Sequence, residues 1–410
     1  METPALATRR HDIDALRSLA FALLILYHVG MFFVAGWDWH LKSAHQAEWL
    51  QWPMMAVNRW RMPLLFLLSG VVVAFLLRHR SPAAFAWSRT LRLGLPLLVG
   101  MLVVVPPQTW LQAMSNGAFD GGYGAFLQAY FSFSPWPEGA FDGSHVGITW
   151  NHLWYLPYLL CYSLLLALLR PLFGGRTGQA LGRRFRALRG WHLLVLPAIP
   201  LVLSAWVLTV PATHDLVSDW ENHVRYFSVF LYGYWLAADA GLWAELKRLR
   251  WIALAAAAML LGLLCWLSLV VGGSSPDWQK AVYDLVTYGY QWLTLVAILG
   301  WGHHLLNRPF RWLAYANETV YPWYVLHQTV ILLAGYALSH LALGPVLEPL
   351  LLLLATVAGC GLLVEVIRRI SWLRPLFGLK PGRAEGSRGL RCTERLRSQP
   401  RTVSAGSTPK

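Results

Sequence analysis

An arginine and a histidine in the first apolar stretch have the residue types and the spacing of a chemical site inside a membrane. Arg17 and His28 are eleven residues apart, which on an α-helix is about 16 Å of rise and about 20° short of three full turns. The segment 18–26 between them carries no charge. An isolated intramembrane histidine can be either functional or a packing hydrogen bond, and the shared face with Arg17 favours function.

A second basic motif, Arg89 and Arg92, is predicted at the cytoplasmic end of the third apolar span. Residues three apart are neighbours on one helical face, and two guanidinium groups so placed offer bidentate phosphate recognition. The alternative is snorkelling to lipid phosphates. Arg17 is expected at the same membrane face, with Asp14 orienting its guanidinium. Three converging arginines favour a phosphate-bearing cytoplasmic substrate.

Further polar residues fall on other apolar stretches. His327 lies about eleven residues above the inner end of its predicted helix, a depth comparable with that of His28. The two histidines either line one polar cavity or make packing hydrogen bonds, and for His327 we favour packing. His152 and Trp154 open the fourth span at its outer end, and we treat them with His327 as supporting residues.

The composition predicts an all-α polytopic membrane protein with about ten transmembrane helices. Hydrophobic residues make up 56% and charged residues 13% of the 410 residues, which is not the balance of soluble domains. Residues 1–10 lack the features of a cleaved signal peptide. The predicted spans are 15–36, 58–77, 91–112, 151–170, 192–210, 223–240, 251–271, 281–301, 316–338 and 346–369.

The distribution of basic residues predicts that both termini are cytoplasmic. With this orientation only five of the 34 Lys and Arg residues fall on the outer side, namely Lys42, Arg59, Arg61, Arg225 and Lys280. This bias follows the positive-inside rule, so the net charge of +14 indicates membrane lipids and not nucleic acid as the partner. We predict a membrane domain over 1–375, a glycine- and arginine-rich inner loop over 174–190, and a disordered basic cytoplasmic tail over 376–410.

The outer loops combine tryptophans with carboxylates. Trp37, Asp38 and Trp39 follow the first span; aromatic faces stack on sugar C–H faces while an acid accepts hydroxyl hydrogen bonds, so we predict that they bind a sugar. The alternative for each tryptophan is the ordinary interfacial aromatic belt. The apolar segment 123–133 is too short to span and is predicted at the interface. No cysteine or histidine spacing predicts a disulfide framework or a metal site.

Taken together, these motifs resemble acyltransferase family 3, the integral-membrane O-acyltransferases, over residues 10–369. Within that family the chain is most similar to the glucan-biosynthesis protein C branch, which is associated with succinylating periplasmic glucans. The motifs are Arg17 and His28 with Asp14-Ala15-Leu16-Arg17, Pro63-Leu64-Leu65-Phe66-Leu67-Leu68-Ser69-Gly70, Arg89-Thr90-Leu91-Arg92, His152-Leu153-Trp154-Tyr155-Leu156 and Tyr324-Val325-Leu326-His327.

The resemblance implies a reaction that bridges a bacterial inner membrane. Cytoplasmic acyl-CoA, a co-substrate and not a bound cofactor, would give an acetyl or succinyl group to a hydroxyl of a carbohydrate or lipid-linked sugar outside. His28 would act as general base or transient acyl carrier, with the donor phosphates on the three arginines. Two other classes remain open: a proton-coupled exporter and a non-catalytic scaffold of a glycan-assembly complex.

Overall fold

The computed structural model describes residues 10–208, 213–237 and 239–381. Within these ranges the regular structure is helical, apart from one β-bridge between Val34 and Ala47, so the predicted all-α class is confirmed. The principal helices are α1 (His11–Phe33), α2 (Gln51–Arg78), α3 (Pro82–Val104), α4 (Pro106–Ser115), α5 (Tyr123–Tyr130), α6 (Tyr155–Leu168), α7 (Arg176–Arg186), α8 (Trp191–Val207), α9 (Trp220–Leu236), α10 (Ala240–Val270), α11 (Asp277–Leu305), α12 (Arg311–Ser339) and α13 (Gly344–Arg369).

A helix overlaps each of the ten stretches predicted to span a membrane. By length and composition, five helices are suited to cross one: α1, the helix Glu48–Arg78 that contains α2, α3, α10 and α13. They become six if α7 and α8, which meet at an angle of 111°, form one broken span. The chain is thus a helical protein with several membrane-spanning candidates, while ten crossings with both termini inside stay a prediction.

Several helices extend beyond the predicted spans, and one predicted loop contains a helix. The third span begins at Pro82 and not near residue 91, because Ser81 caps the helix, its hydroxyl accepting a hydrogen bond from the Ala84 amide at 3.3 Å with proline in the first turn. The segment 174–190, predicted as a loop, contains α7. It is helical because it is amphipathic, burying the Phe185 ring against Trp235 while its arginines stay outside.

Close helix crossing depends on two glycines. Gly70 of α2 faces the Phe230 carbonyl of α9, and Gly233 of α9 faces the Leu67 carbonyl of α2. A methyl group at either position would collide with the opposite backbone, so only glycine allows this approach. Helix α1 packs against α2, α11, α12 and α13, which places it inside the bundle.

The loop after α1 folds back over the end of that helix. The Lys42 ammonium donates hydrogen bonds to the carbonyls of Met31, at 2.7 Å, and Val34, which are among the acceptors left open at a helix C-terminus. The Ser43 hydroxyl donates to the Glu348 carboxylate of α13 at 2.7 Å. The contacts of Lys42 and Ser43 fix the segment between the end of α1 and Lys42, which carries Trp39.

The predicted tail lies largely outside the described residues. The last short helix is Leu373–Leu376, and the described chain ends at residue 381. Residues 382–410 lie beyond it, so the boundary at 375 and the disorder of the tail stay predictions.

Candidate active site

A cavity of about 660 Å³ opens at the end of the bundle where α1 finishes. Its wall is formed by loops and by residues of α1, α2, α3 and α12. Its lining includes Tyr27, His28, Met31, Trp39, His40, Arg61, Asp142, His145, Trp150, Asn151, His152, Trp154, His214, Asp215 and Gln328. We call this the cavity end of the bundle. It brings together residues from segments up to 300 positions apart in the sequence.

The histidine pair at the cavity wall has a defined proton arrangement. His327 is fully buried, and its Nδ1 atom lies 2.6 Å from the Tyr324 carbonyl oxygen, so Nδ1–H is the donor there. A neutral His327 then accepts at Nε2, which lies 2.7 Å from Nδ1 of His28. His28 therefore donates through Nδ1–H, and its Nε2 atom carries the lone pair. No described residue hydrogen-bonds to that nitrogen, so it is available as a base.

Trp39 covers the His28 ring from the loop after α1. The two rings are nearly parallel, with centroids 6.3 Å apart and an interplanar angle of 10°. The His327 ring is also nearly parallel to the His28 ring. The two ring centroids are 4.9 Å apart and the interplanar angle is 21°. His28 is thus held between a hydrogen bond on one nitrogen and an aromatic face. Its orientation is set before any ligand arrives.

A buried polar network supports the pair from behind. His152 donates through Nε2–H to the Val325 carbonyl at 3.1 Å, and its Nδ1 accepts from the Gln108 amide at 3.3 Å. The same amide group donates to the Thr329 hydroxyl at 2.6 Å, which donates to the Val104 carbonyl. Helices α3, α4 and α12 are therefore joined beneath the cavity by satisfied hydrogen bonds.

A second branch of this network reaches the loop that carries Trp39. The Gln328 amide donates to Nε2 of His40 at 2.8 Å, so His40 donates through Nδ1–H to the Gln112 side-chain oxygen at 2.6 Å. The ring of His40 is buried, with 4% of its surface exposed. These bonds hold the loop against α4 and α12.

The opposite wall is a tight loop braced by a buried carboxylate. Asp219 is 1% exposed and accepts hydrogen bonds from the Tyr158 hydroxyl at 2.5 Å, the Thr213 amide at 3.1 Å and the His214 amide at 3.2 Å. His214 has a φ of 55°, an uncommon backbone conformation for a residue with a side chain. Its ring lies 4.3 Å from that of Trp154, so the brace places an aromatic pair on the cavity.

Asp215 supplies a fixed negative charge on this wall. Its carboxylate accepts hydrogen bonds from the Ser218 hydroxyl at 2.6 Å and the Ser218 and Val217 amides at 2.7 and 2.8 Å. These bonds, the hydroxyl first among them, lower the pKa of Asp215 to about 2. Burial lowers the pKa of the adjacent His214. The loop therefore presents an anion beside a neutral imidazole at neutral pH.

The three predicted phosphate-binding arginines lie near one another at the other end of α1. Arg17 donates to the Asn317 side-chain oxygen at 2.9 Å, and the Asp14 carboxylate lies 3.8 Å from the same nitrogen. Arg89 interacts electrostatically with both Arg17 and Arg92. From Arg17 to His28 the rise along α1 is about 16 Å. We call this cluster the arginine end.

Arg89 and Arg92, predicted to share one helical face, differ in exposure. Arg89 is 8% exposed and its Nη2 atom lies 3.5 Å from the Ser163 hydroxyl, whereas Arg92 is exposed. The backbone between them is π-helical over Thr90–Gly94, which changes the rotation per residue from the α-helical value. The buried Nε atom of Arg89 has no hydrogen-bond partner among the described residues.

The three predicted sugar-binding residues separate. Trp39 lines the cavity, but Trp37 packs against an apolar cluster that contains Met55, and Asp38 is exposed outside the cavity wall. His28, His152 and Trp154 also line the cavity, while His327 lies behind it and hydrogen-bonds to His28. The chemical roles of all these residues stay predictions.

Several cavity residues were not singled out from the sequence. Arg61 and Gln328 lie next to recognised motifs in the sequence. A single arginine or glutamine beside a motif does not by itself indicate a functional role. Asp142, Asp215 and His214 come from loops whose fold depends on distant contacts. Among the described residues, no group of three or more His, Cys, Asp or Glu is placed to hold a metal ion.

Comparisons with known proteins identify the family of the chain. The sequence model described as an acyltransferase domain, that of the acyltransferase 3 family, matches residues 10–365. Glucans biosynthesis protein C from Escherichia coli K12 is 23% identical over 395 residues, covering 92% of this chain and 96% of that protein. The same protein from the strains 536 and SMS-3-5 matches equally. No solved structure matches. The chain belongs to the acyltransferase 3 family.

Proposed function

We propose that the protein is an O-acyltransferase that moves an acetyl or succinyl group from cytoplasmic acyl-CoA to a hydroxyl of a glycan or glycolipid at the outer membrane face. The observation that carries the proposal is the placement of His28. Its unprotonated Nε2 belongs to a cavity wall, while Arg17, the α1 residue of the arginine end, lies about 16 Å of helical rise away. A base near one end of α1 and a group of arginines around its other end suit a long phosphorylated donor.

In this reaction His28 acts as general base. The acceptor hydroxyl loses its proton to Nε2 as its oxygen attacks the thioester carbonyl carbon. When the tetrahedral intermediate collapses, the C–S bond breaks and the CoA thiolate takes that proton from Nε2. The products are an O-ester and free CoA. His327 keeps His28 in the required tautomer throughout, because its Nε2 accepts the Nδ1–H of His28.

The donor occupies the arginine end. Arg17, Arg89 and Arg92 are strong phosphate ligands by chemistry, and Arg89 carries a buried Nε–H with no described partner. The pantetheine arm then extends along α1 towards His28. The hydroxyls of Tyr155 and Tyr321 lie within electrostatic range of Arg89 and give this route polar groups.

The acceptor sugar enters the cavity. Trp39, Trp150 and Trp154 offer aromatic faces, and Asp142 and Asp215 offer carboxylates that accept sugar hydroxyls. This combination of aromatic faces and fixed carboxylates suits a carbohydrate better than an apolar acceptor. It also refines the sequence prediction, since of the three consecutive residues 37–39 only Trp39 is in reach.

A reaction that bridges the membrane fits a chain that crosses the inner membrane of a bacterium ten times, with both termini in the cytoplasm. The basic residues at predicted inner helix ends support this orientation. Reporter fusions after residues 79, 241 and 308 should report the cytoplasm, and fusions after residues 45 and 140 the outside. The opposite pattern would exclude the orientation.

Sealed inverted membrane vesicles test the function. Vesicles containing the protein should consume radiolabelled acetyl- or succinyl-CoA added outside and accumulate acylated glycan in the lumen, and His28→Ala vesicles should not. Product on the donor side would overturn the cross-membrane reaction. If wild-type protein supplied with acceptor consumes no acyl-CoA, the enzymatic function is excluded. The exporter and the scaffold then remain.

A further inference from the structure

A second ionisable side chain lines the cavity beside His28. Arg61 of α2 faces the cavity, and its guanidinium carbon lies 3.4 Å from the centroid of the Tyr27 ring. Tyr27 directly precedes His28 on α1, so the guanidinium is stacked one residue along the helix from the proposed base. This stacking gives part of the stabilisation that a buried cation needs and fixes the plane of the group.

The hydrogen-bonding capacity of Arg61 is largely unused. Its Nε and Nη1 atoms are buried and have no hydrogen-bond partner among the described residues. The neighbouring Arg59 also has a buried Nε without a described partner, but its Nη2 donates to the Tyr283 hydroxyl at 2.7 Å, and Arg225 donates to the Gln291 side-chain oxygen at 2.8 Å. Leaving buried N–H groups of a cation without an acceptor is costly, which indicates that a ligand supplies the acceptor.

Arg61 is also the only arginine or lysine among the described residues of the cavity wall. The phosphate-binding arginines belong to the other end of α1, about 16 Å away. The charge that Arg61 meets is therefore not the donor's phosphates but one located where His28 reacts.

We propose that Arg61 is the oxyanion-stabilising residue of acyl transfer, a role that rests on the proposed function. As the acceptor oxygen bonds to the thioester carbon, the carbonyl π electrons move onto the carbonyl oxygen, and Arg61 donates hydrogen bonds to the resulting O⁻. Collapse restores the C=O bond and expels the thiolate, which is protonated by His28. A donor that is already oriented, in a site shielded from water, stabilises this charge more than it stabilises the neutral carbonyl.

The test is steady-state kinetics of purified full-length variants in detergent, with acetyl-CoA and succinyl-CoA as alternative donors. We expect Arg61→Gln to lower kcat by about 10²- to 10³-fold while both KM values change little. Arg61→Lys keeps the charge but loses the planar fork, so its kcat should lie between those of Arg61→Gln and wild type. Guanidinium ion added to Arg61→Ala should restore part of kcat.

Arg59→Gln is the matched control, since it removes a cation from the same helix outside the cavity wall and should keep wild-type kcat. Each variant is first checked for monodisperse elution and an unchanged thermal midpoint, and Arg61→Lys carries the test if Arg61→Gln fails that check. Wild-type kcat in the folded Arg61 variants would overturn the assignment. A loss confined to succinyl-CoA, or a rise in KM alone, would also overturn it in favour of binding a ground-state carboxylate. Inactivity of the wild type itself would instead count against the proposed function.

Discussion

Nδ1 of His28 lies 2.7 Å from Nε2 of His327, although the two residues are 299 positions apart. The second histidine does not line the cavity, and its own Nδ1–H is engaged by the Tyr324 carbonyl. This relationship leaves Nε2 as the nitrogen of His28 that carries the lone pair. It supports the proposal that His28 carries the chemistry and His327 positions it.

This division of roles predicts that substitutions of the two histidines lower kcat to different extents. His28→Ala should lower kcat by about 10²- to 10⁴-fold, the usual contribution of a general base. His327→Ala should lower it by about tenfold, which corresponds to one lost hydrogen bond of about 1.4 kcal/mol. His327→Gln, which can still accept from His28, should recover part of this loss. Single-turnover rates at saturating donor measure both effects, and an equal loss in the two alanine variants would contradict the division.

The arginine end predicts a graded response in donor binding. Arg89→Lys should raise the KM for acyl-CoA more than Arg92→Lys, because Arg89 is buried and its planar fork has an unpaired N–H, whereas Arg92 is exposed. Arg78→Lys, at the exposed end of α2, is the control and should keep the wild-type KM. If the lysine variants instead change only acceptor use, the donor site is elsewhere.

The cavity wall predicts that neighbouring tryptophans differ. Trp39→Ala should raise the acceptor KM and also lower kcat, because the indole both faces the cavity and stacks on His28. Trp37→Ala should change acceptor KM little, since its ring packs in an apolar cluster. Acceptor titrations at fixed acyl-CoA compare the two. An acceptor KM that responds to Trp37 and not to Trp39 would place the sugar outside the cavity.

Asp219 is expected to matter for stability as well as for the acceptor. Asp219→Ala leaves two backbone amides and a tyrosine hydroxyl without their shared acceptor, at a cost of about 1–3 kcal/mol for each group left unsatisfied, and releases the loop that carries His214. Asp215→Asn removes a charge from a more exposed turn and should leave the thermal midpoint near wild type. Thermal unfolding in detergent measures this contrast. Equal midpoints for Asp219→Ala and wild type would show that the loop does not need the brace.

Much of the site was readable from local sequence wherever one helix sets the geometry. The Arg17 and His28 register follows from helical periodicity alone, and the long apolar stretches locate the helices because a bilayer requires such lengths. The family resemblance could be read in the same way, since its motifs are short and continuous. The match of the family model to residues 10–365 confirms it. The different exposure of Arg89 and Arg92 was not readable from helical periodicity, since the turn Thr90–Gly94 is π-helical.

Only the tertiary structure decided which distant residues meet. The pairing of His28 with His327 depends on how α1 packs against α12, which no local pattern encodes. The selection of Trp39 over Trp37 depends on the bonds from Lys42 and Ser43 that fix the loop. From the sequence, Arg61 was one of a few basic residues predicted on the outer side. It became a candidate oxyanion donor because helix packing buries its guanidinium beside Tyr27, with no described acceptor for Nε and Nη1. Periodicity sets the face of a residue on its own helix, while its partners are set by the packing of all helices at once.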